Sequence, residues 1–151
     1  MKDQELGDLI IKLSKELYAG GPKRFNAMLD LKLHDCSREE KFVAYHFDPE
    51  DWCRNQYGGL HGGIICSVFD TAIGIGAHAQ TQHFVTTSSL NVSFLRPMTG
   101  SHFLIRSNYT HLGRRVINAY ATMTDLESGA LCADCLGVFQ QIETRPRGLQ
   151  Y

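Results

Sequence analysis

The chain has 151 residues, of which 43% are hydrophobic and 21% charged, enough for one domain with its own core but too few for two ordinary ones. Its 15 Lys and Arg stand against 16 Asp and Glu, and the net charge of -1 argues against a bulk electrostatic grip on nucleic acid. The start carries Lys2, Asp3, Glu5 and Asp8 without an apolar stretch, which disfavours a signal peptide and predicts a cytoplasmic protein. Five unevenly spaced cysteines indicate reduced thiols.

The first predicted element is an amphipathic helix that ends at the Gly-Gly-Pro of residues 20–22. Its apolar face repeats at spacings of three and four residues: Leu6, Leu9, Ile10, Leu13 and Leu17. Two alternating runs follow, one with Leu29, Leu31 and Leu33 and one from Val43 to Asp48. The charged link between these runs predicts an antiparallel hairpin.

A loop from Pro49 to Gly59 leads to a second helix, expected from about His61 to Ala79. This helix is apolar almost all round, so we expect it to lie inside the protein. Its least polar run, from Ile64 to Ala79, is interrupted by Asp70 and two glycines and is too short to span a bilayer.

Four alternating runs separated by turn-like segments predict four further strands: Phe84 to Phe94, Phe103 to Tyr109, Val116 to Met123 and Leu131 to Phe139. Together these elements predict an α+β fold in which a curved antiparallel sheet of about five or six strands wraps around the apolar helix. Because such a sheet keeps a free edge strand, we expect a homodimer or a dimer of dimers.

Asp70 is an unusual residue for its surroundings, because it and Arg96 are the only formal charges between Leu60 and Thr99. Burying a carboxylate in an apolar helix costs free energy unless a donor outside the helix satisfies it. Asp70 is therefore either a structural residue bonded to a nearby hydroxyl or to backbone, or a general base or nucleophile.

Gly62 and Gly63 stand at the start of the same helix, where the first N–H groups lack partners and the helix dipole is positive. Without a Cβ they allow a substrate carbonyl to approach, so they predict either a tight packed turn or an oxyanion site for an acyl group. Gly62 and Asp70 are about 12 Å apart on a helix that rises about 1.5 Å per residue. If both act on one carbonyl, Asp70 must come from a second subunit whose helix runs antiparallel to the first.

The combined pattern resembles the hotdog-fold acyl-CoA thioesterases of the phenylacetate-pathway (PaaI-like) type. Its parts are Asn55-x5-His61-Gly62-Gly63-x6-Asp70, Val85-Thr86-Thr87, the run from Leu90 to Pro97, and Gly113-Arg114-Arg115. It extends over roughly Leu29 to Gln141, and the combination is more specific than any single part. The resemblance implies one hotdog domain over residues 1–151, with a helical extension at 1–27, the core at 28–142 and a tail at 143–151.

The resemblance implies hydrolysis of an acyl- or aryl-acyl-CoA to free acid and CoA, with no metal and no covalent cofactor. It assigns the catalytic carboxylate to Asp70, which activates water or attacks the thioester itself. It assigns the backbone donor for the carbonyl oxygen to Gly62, a second donor to the Asn55 amide, a supporting role to His61, and a hydroxyl beside the attacking water to Thr87. The family builds this site across a dimer interface.

The resemblance also implies that the nucleotide and pantetheine of CoA run past residues near turns at strand ends: Arg96, His111, Gly113, Arg114 and Arg115. Solvated turn residues are the alternative interpretation of each. Phe69, Ile73 and Phe84 are candidates for the lining of the acyl pocket.

Two other functions stay open: a hotdog hydratase or dehydratase that would use His61 with Asp70 as its acid and base, and a non-catalytic acyl-CoA-binding sensor. We expect neither nucleic acid nor a membrane as a partner. Cys132 and Cys135 lie in a strand-like run, too far apart for a disulfide, and no second C-x-x-C completes a zinc site. The G-x-G-x-x-A at 74–79 ends a helix rather than following a strand, so it does not indicate a dinucleotide site.

Overall fold

A computed structural model of the chain describes residues 3–18 and 20–143, with every side chain in these ranges except those of Leu17 and Tyr18. The predicted tail beyond Glu143 lies outside the described residues. A short 3-10 turn at Asp51–Cys53 precedes the longest helix. The elements are α1 (Gln4–Tyr18), α2 (Phe25–Leu29), β1 (Lys32–Ser37), β2 (Phe42–Phe47), α3 (Gly62–Thr81), β3 (Phe84–Phe94), β4 (Phe103–Leu112), β5 (Val116–Asp125) and β6 (Leu131–Ile142).

The six strands form one antiparallel sheet in the order β1-β2-β4-β5-β6-β3. One face of this sheet packs against α3, and α1 lies against α3 and β1 through the buried Leu6 and Ile10. The predicted α+β class, the hairpin of β1 and β2 and the sheet around one long helix are confirmed. β3 and β1 are the two edge strands, so β3 offers one side to other molecules.

Glycines let the sheet approach α3 closely. The Tyr109 hydroxyl, on β4, donates a hydrogen bond to the Ile73 carbonyl of α3 at 2.9 Å. A Cβ at Gly76 would collide with that hydroxyl, and a Cβ at Gly74 would press against the Phe139 ring. The glycines of the G-x-G-x-x-A pattern therefore serve helix–sheet packing.

The structure corrects one expectation about α3 and refines a second. The helix has 20 residues and a mean hydropathy of 1.3, so it is long and apolar enough to span a membrane by length and composition alone, although it is the core helix of this fold. α3 lies inside the fold as expected, but one side of it stays partly open because the sheet covers only one of its sides. Ser67, Asp70 and His78 are half-buried on the other side.

The alternation of Leu29, Leu31 and Leu33 predicted a strand that the structure begins only at Lys32. Leu29 is instead the last residue of α2, which ends at Asp30 in the left-handed conformation (φ 49°). Leu29 and Leu31 are both buried. A helix of five residues is too short to show a helical repeat, so the two buried leucines mimic the period of a strand.

Candidate active site

The start of α3 leaves one backbone donor free. Nδ1 of His61 accepts the N–H of Gly63 at 3.0 Å, and the His61 carbonyl accepts the N–H groups of Ile64 and Ile65 at 2.9 and 3.2 Å. The N–H of Gly62 has no acceptor among the described residues. A single unpaired N–H thus stands at the positive end of a 20-residue helix, ready for an oxygen that carries negative charge.

His61 is the N-cap of α3, and this contact gives the predicted supporting role a physical form. Because its Nδ1 accepts a hydrogen bond, a neutral ring carries its proton on Nε2. The cap occupies the Gly63 N–H and leaves the neighbouring Gly62 N–H as the donor that a ligand can use.

Gly62 opens onto a groove of about 360 Å³ with mostly apolar walls. A Cβ at residue 62 would stand 3.6 Å from the Phe94 ring, in ordinary van der Waals contact, and would narrow the space between that ring and the helix start. The groove is lined by Leu60, Gly62, Ile65, Phe94, Leu95, Arg96, Pro97 and Met98. None of the three residues predicted for the acyl pocket lines it, and Phe69 and Ile73 are instead fully buried in the core.

Asn55 lies in a tight loop that leads into α3. Its Oδ1 accepts the N–H of Tyr57 at 2.9 Å, and its own N–H donates to the Gly59 carbonyl at 2.8 Å. The turn is completed at Gly58, which has a φ of 82° that favours glycine. Nδ2 of Asn55 has no acceptor among the described residues, so the side-chain amide keeps both of its donors for a ligand.

Asp70 lies about two turns beyond Gly62 on α3, half-buried. The hydroxyl of Thr87, on β3, donates to Asp70 Oδ1 at 2.5 Å. This bond fixes one carboxylate oxygen and leaves Oδ2 with no donor among the described residues. The predicted hydroxyl at Thr87 therefore contacts the carboxylate itself, within one chain.

A β-bulge turns Thr87 toward the helix. Thr87 pairs with Phe139 and Ser89 with Val138, so Ser88 is an extra residue in β3. Thr87 and Phe94 both contact α3, yet they are seven positions apart, which in a regular strand would put them on opposite faces. The extra residue removes this conflict, as bulges beside active sites commonly do.

The structure thus separates the predicted catalytic residues into two groups. We call Asn55, His61 and Gly62 the Gly62 half-site, and Asp70 with Thr87 the Asp70 half-site. Because Gly62 and Asp70 lie on one helix, they are about 12 Å apart along its axis, and one carbonyl cannot touch both.

The residues predicted for CoA lie at two opposite ends of the sheet. Arg96 is exposed at the groove and donates to the Leu131 carbonyl at the start of β6, at 3.0 Å. The Arg115 carbonyl accepts the N–H of Gln141 near the end of β6, at 3.1 Å. Ten residues of β6 separate these contacts, which is about 33 Å. One chain therefore cannot bring Arg96 and Arg115 to the same phosphate.

Gly113 and Arg114 belong to the same turn as Arg115, between β4 and β5, and His111 lies just before this turn, near the end of β4. The Gly113 N–H donates to the Val116 carbonyl at 3.0 Å, and a Cβ at residue 113 would collide with the His111 ring. Arg114 and Arg115 are exposed. The turn therefore presents two guanidinium groups and an imidazole to solvent.

The two cysteines of the C-x-x-C are free and buried. Burial raises the pKa of the Cys135 thiol to about 12, with smaller contributions from Cys66, Asp134 and Asp70. Such a thiol stays protonated at neutral pH and is a poor nucleophile or metal ligand. Among the described residues, no three His, Cys, Asp or Glu side chains are placed to hold a metal ion.

Residues 57–132, half of the chain, match the sequence family described as the Thioesterase superfamily, and the match contains Gly62, Asp70 and Thr87. The chain belongs to the thioesterase superfamily. A protein of Saccharolobus solfataricus that bears an esterase name is 28% identical over 136 residues, which are 89% of this chain and 94% of that protein.

Solved structures agree with this membership in fold. The E. coli PaaI protein of the phenylacetic acid degradation operon matches with a TM-score of 0.74 and 18% identity, over 91% of this chain and 96% of that one. A Streptococcus mutans protein bound to acetyl-CoA matches with a TM-score of 0.69 and 19% identity, over 78% and 92%. The predicted PaaI-like hotdog fold is confirmed, and membership in this superfamily supports a hydrolase of ester or thioester bonds.

Two residues that shape this thioesterase-superfamily site were not predicted from the sequence. Phe94 was part of the quoted strand, but nothing marked its ring as the neighbour of Gly62. Arg54 precedes Asn55 and donates to carbonyls at Gly58 and Gly100, the second of them far away in sequence. Contacts of this kind depend on the packing of distant segments and leave no local pattern.

Proposed function

We propose that the protein hydrolyses acyl-CoA thioesters to free acid and CoA at an active site shared by two copies of the chain. The observation that supports this proposal is the division into two half-sites about 12 Å apart on one helix. Acyl transfer needs a donor at the carbonyl oxygen and a base or nucleophile at the carbonyl carbon. One chain offers both groups too far apart for one carbonyl, whereas two antiparallel copies offer both together.

The edge strand β3 is the surface on which we propose this pairing. It has 11 residues, most of them exposed, and a long unpaired edge invites association with another strand. A two-fold axis beside its centre would pair β3 antiparallel with the second copy and continue the sheet. The Thr87 end of one strand then lies beside the Phe94 end of the other, and Asp70 of one copy approaches Gly62 of the other. A homodimer or a dimer of dimers contains this unit.

In the proposed reaction, the thioester oxygen accepts hydrogen bonds from the Gly62 N–H and the Asn55 amide. Asp70 takes a proton from water, whose oxygen attacks the carbonyl carbon, and the negative charge on the oxygen is stabilised by these donors. The carbon–sulfur bond breaks, and the proton held by Asp70 passes to the CoA sulfur. Alternatively, Asp70 attacks the carbonyl itself, the carbon–sulfur bond breaks and CoA leaves as a thiolate; water then hydrolyses the resulting anhydride, restores the Asp70 carboxylate and supplies the proton of the thiol. Thr87 holds Asp70 in place in either route.

CoA recognition follows from the same pairing. Antiparallel β3 strands place the Arg96 end of one copy near the end of the other copy that carries Arg114 and Arg115. Cations that lie at opposite ends of β6 in one chain thereby come to the same side of the dimer. The acetyl-CoA bound to the Streptococcus mutans protein supports this class of substrate.

The experiment that tests the proposal is thiol release from short, medium, long and aromatic acyl-CoAs by the wild type and by Asp70→Asn. Removal of a general base typically lowers kcat by about 10²–10⁴. We therefore expect a loss of at least about 100-fold in a variant that keeps its thermal stability and its oligomeric state. An Asp70→Asn variant as active as the wild type would overturn the assignment of Asp70.

The same assay separates the two other functions. A hydratase needs a His and an acid together. The His61 ring is already engaged through Nδ1 as the cap of α3, so the structure favours this function less. Hydration of an enoyl-CoA without thiol release would nonetheless select the hydratase. Binding of acyl-CoA without either reaction would select the sensor.

A further inference from the structure

Arg54 ties the loop of the Gly62 half-site to a second segment of the chain. Its Nη1 donates to the carbonyls of Gly58 at 3.0 Å and Thr99 at 3.4 Å, and its Nη2 donates to the Gly100 carbonyl at 3.0 Å. The planar guanidinium thus spans three backbone oxygens, which the single ammonium of a lysine cannot do with the same geometry. Two of these oxygens belong to the connection between β3 and β4.

The backbone supports the same link. The Leu60 N–H donates to the Met98 carbonyl at 2.8 Å, and Arg54 and Leu60 pair as an isolated bridge. The loop between them contains Asn55 and closes directly before His61. Met98 is also a wall of the groove beside Gly62. The loop that presents the Asn55 amide is therefore held at two points to residues 98–100, the first of which lines the groove.

Arg54 is half-buried and makes no ion pair with a carboxylate among the described residues. Its charge is satisfied by backbone carbonyls alone. A surface arginine that only confers solubility would point into water. The Arg54 guanidinium instead donates hydrogen bonds that hold the conformation of the five-residue loop 55–59.

We propose that Arg54 is a positioning residue of the active site, which acts by holding the Asn55 amide in the geometry that meets the thioester oxygen. The inference rests on the proposed function for its kinetic readout and names a residue that this function does not include. Because donors that stabilise an oxyanion work only when preorganised, loosening the loop should lower kcat while substrate binding changes little.

The kinetic test compares Arg54→Gln, Asn55→Ala and the double variant, with an acyl-CoA that the wild type hydrolyses. We expect Arg54→Gln to lower kcat about tenfold with KM within about threefold, and Arg54→Lys to lose nearly as much because it keeps the charge but not the fork. The double variant should be no slower than Asn55→Ala alone, since residues that act through one another are not additive. Arg106→Gln removes another half-buried arginine, which lies on β4 over the Phe42 ring of β2 and belongs to neither half-site, and should leave kcat unchanged.

A second measurement does not depend on activity. Hydrogen exchange of the Tyr57, Gly58 and Leu60 N–H groups should quicken about tenfold or more in Arg54→Gln, while the amides of Val68 and Phe69 in α3 stay protected. Unchanged exchange in the loop would overturn the inference even if the protein released no thiol from any acyl-CoA. A double variant whose losses multiply, or a fully active Arg54→Lys, would overturn it while leaving the thioesterase proposal intact.

Discussion

The two half-sites on α3 are held in different ways. The Gly62 half-site is built from backbone: a helix N-terminus capped by His61, a tight loop at Asn55 and fastenings to the connection between β3 and β4. The Asp70 half-site depends on one side-chain hydrogen bond from Thr87, aimed by a single bulged residue.

This difference follows from what each half must do. A donor for an oxyanion must not reorganise during the reaction, and backbone dipoles at a helix start are fixed by the fold. A carboxylate that moves a proton needs one oxygen held and the other free. The comparison predicts that the Gly62 half-site tolerates few changes of backbone shape, and that the Asp70 half-site is sensitive to one hydroxyl.

Substitution of Asn55 is expected to give the largest loss of kcat among the tests of this comparison. We expect Asn55→Ala to lower kcat at least tenfold, and by roughly 100-fold if the amide supplies a full oxyanion donor of about 3 kcal/mol. Asn55→Asp is the matched variant, because its carboxylate still accepts the Tyr57 N–H but cannot donate. It should be at least as slow as Asn55→Ala in thiol release. If Asn55→Asp keeps wild-type activity, the residue matters only for the turn.

The main feature of the Gly62 half-site, an unpaired N–H at the start of α3, could be predicted from the sequence. Glycines after a histidine at the start of an apolar helix predict a free helix terminus without any tertiary information. The six strands were also predicted near their positions along the chain, apart from the start of the first, because most of them have a clear alternation of period two. The helix start and the strands are determined by residues that are close together in the sequence, so a local sequence pattern is enough to predict them.

For the Asp70 half-site, the residue pattern alone showed only an isolated carboxylate in an apolar helix and did not predict the bulge that places Thr87 beside it. Four small polar residues stand together at 86–89, so no pattern shows that Ser88 is the bulged one. The partner strand β6 fixes that choice, more than 40 residues later in the chain. The same holds for α2, whose burial depends on packing rather than on a repeat, and for the long-range contacts of Arg54.

Thr87 provides the next test. Thr87→Val keeps the shape of the side chain and removes the hydroxyl that Asp70 accepts. A hydrogen bond to a charged group is worth about 1.5–3 kcal/mol, so we expect kcat to fall about tenfold or more. Thr87→Ser keeps the donor and should stay within about threefold of the wild type. Equal activity of the valine and serine variants would contradict the holding role of this bond.

Mixing two inactive variants gives the smallest expected change in activity, and it tests most directly whether the two half-sites of one active site come from different chains. Asp70→Asn and Asn55→Ala each damage every site when alone. If sites are shared, a mixed dimer has one native site, and random pairing of equal amounts should restore about a quarter of wild-type thiol release. Chains expressed together with two different purification tags provide the mixed species.

The matched control mixes Asp70→Asn with Thr87→Val. Both changes lie in the same half-site, so no arrangement of two chains produces a native site, and the mixture should be only as active as the average of its components. A first mixture that also stays at that average would show that each active site draws on one chain alone. The two-fold pairing through β3 would then have to be abandoned, and with it the joint action of Gly62 and Asp70 on one carbonyl, because these residues are about 12 Å apart within one chain.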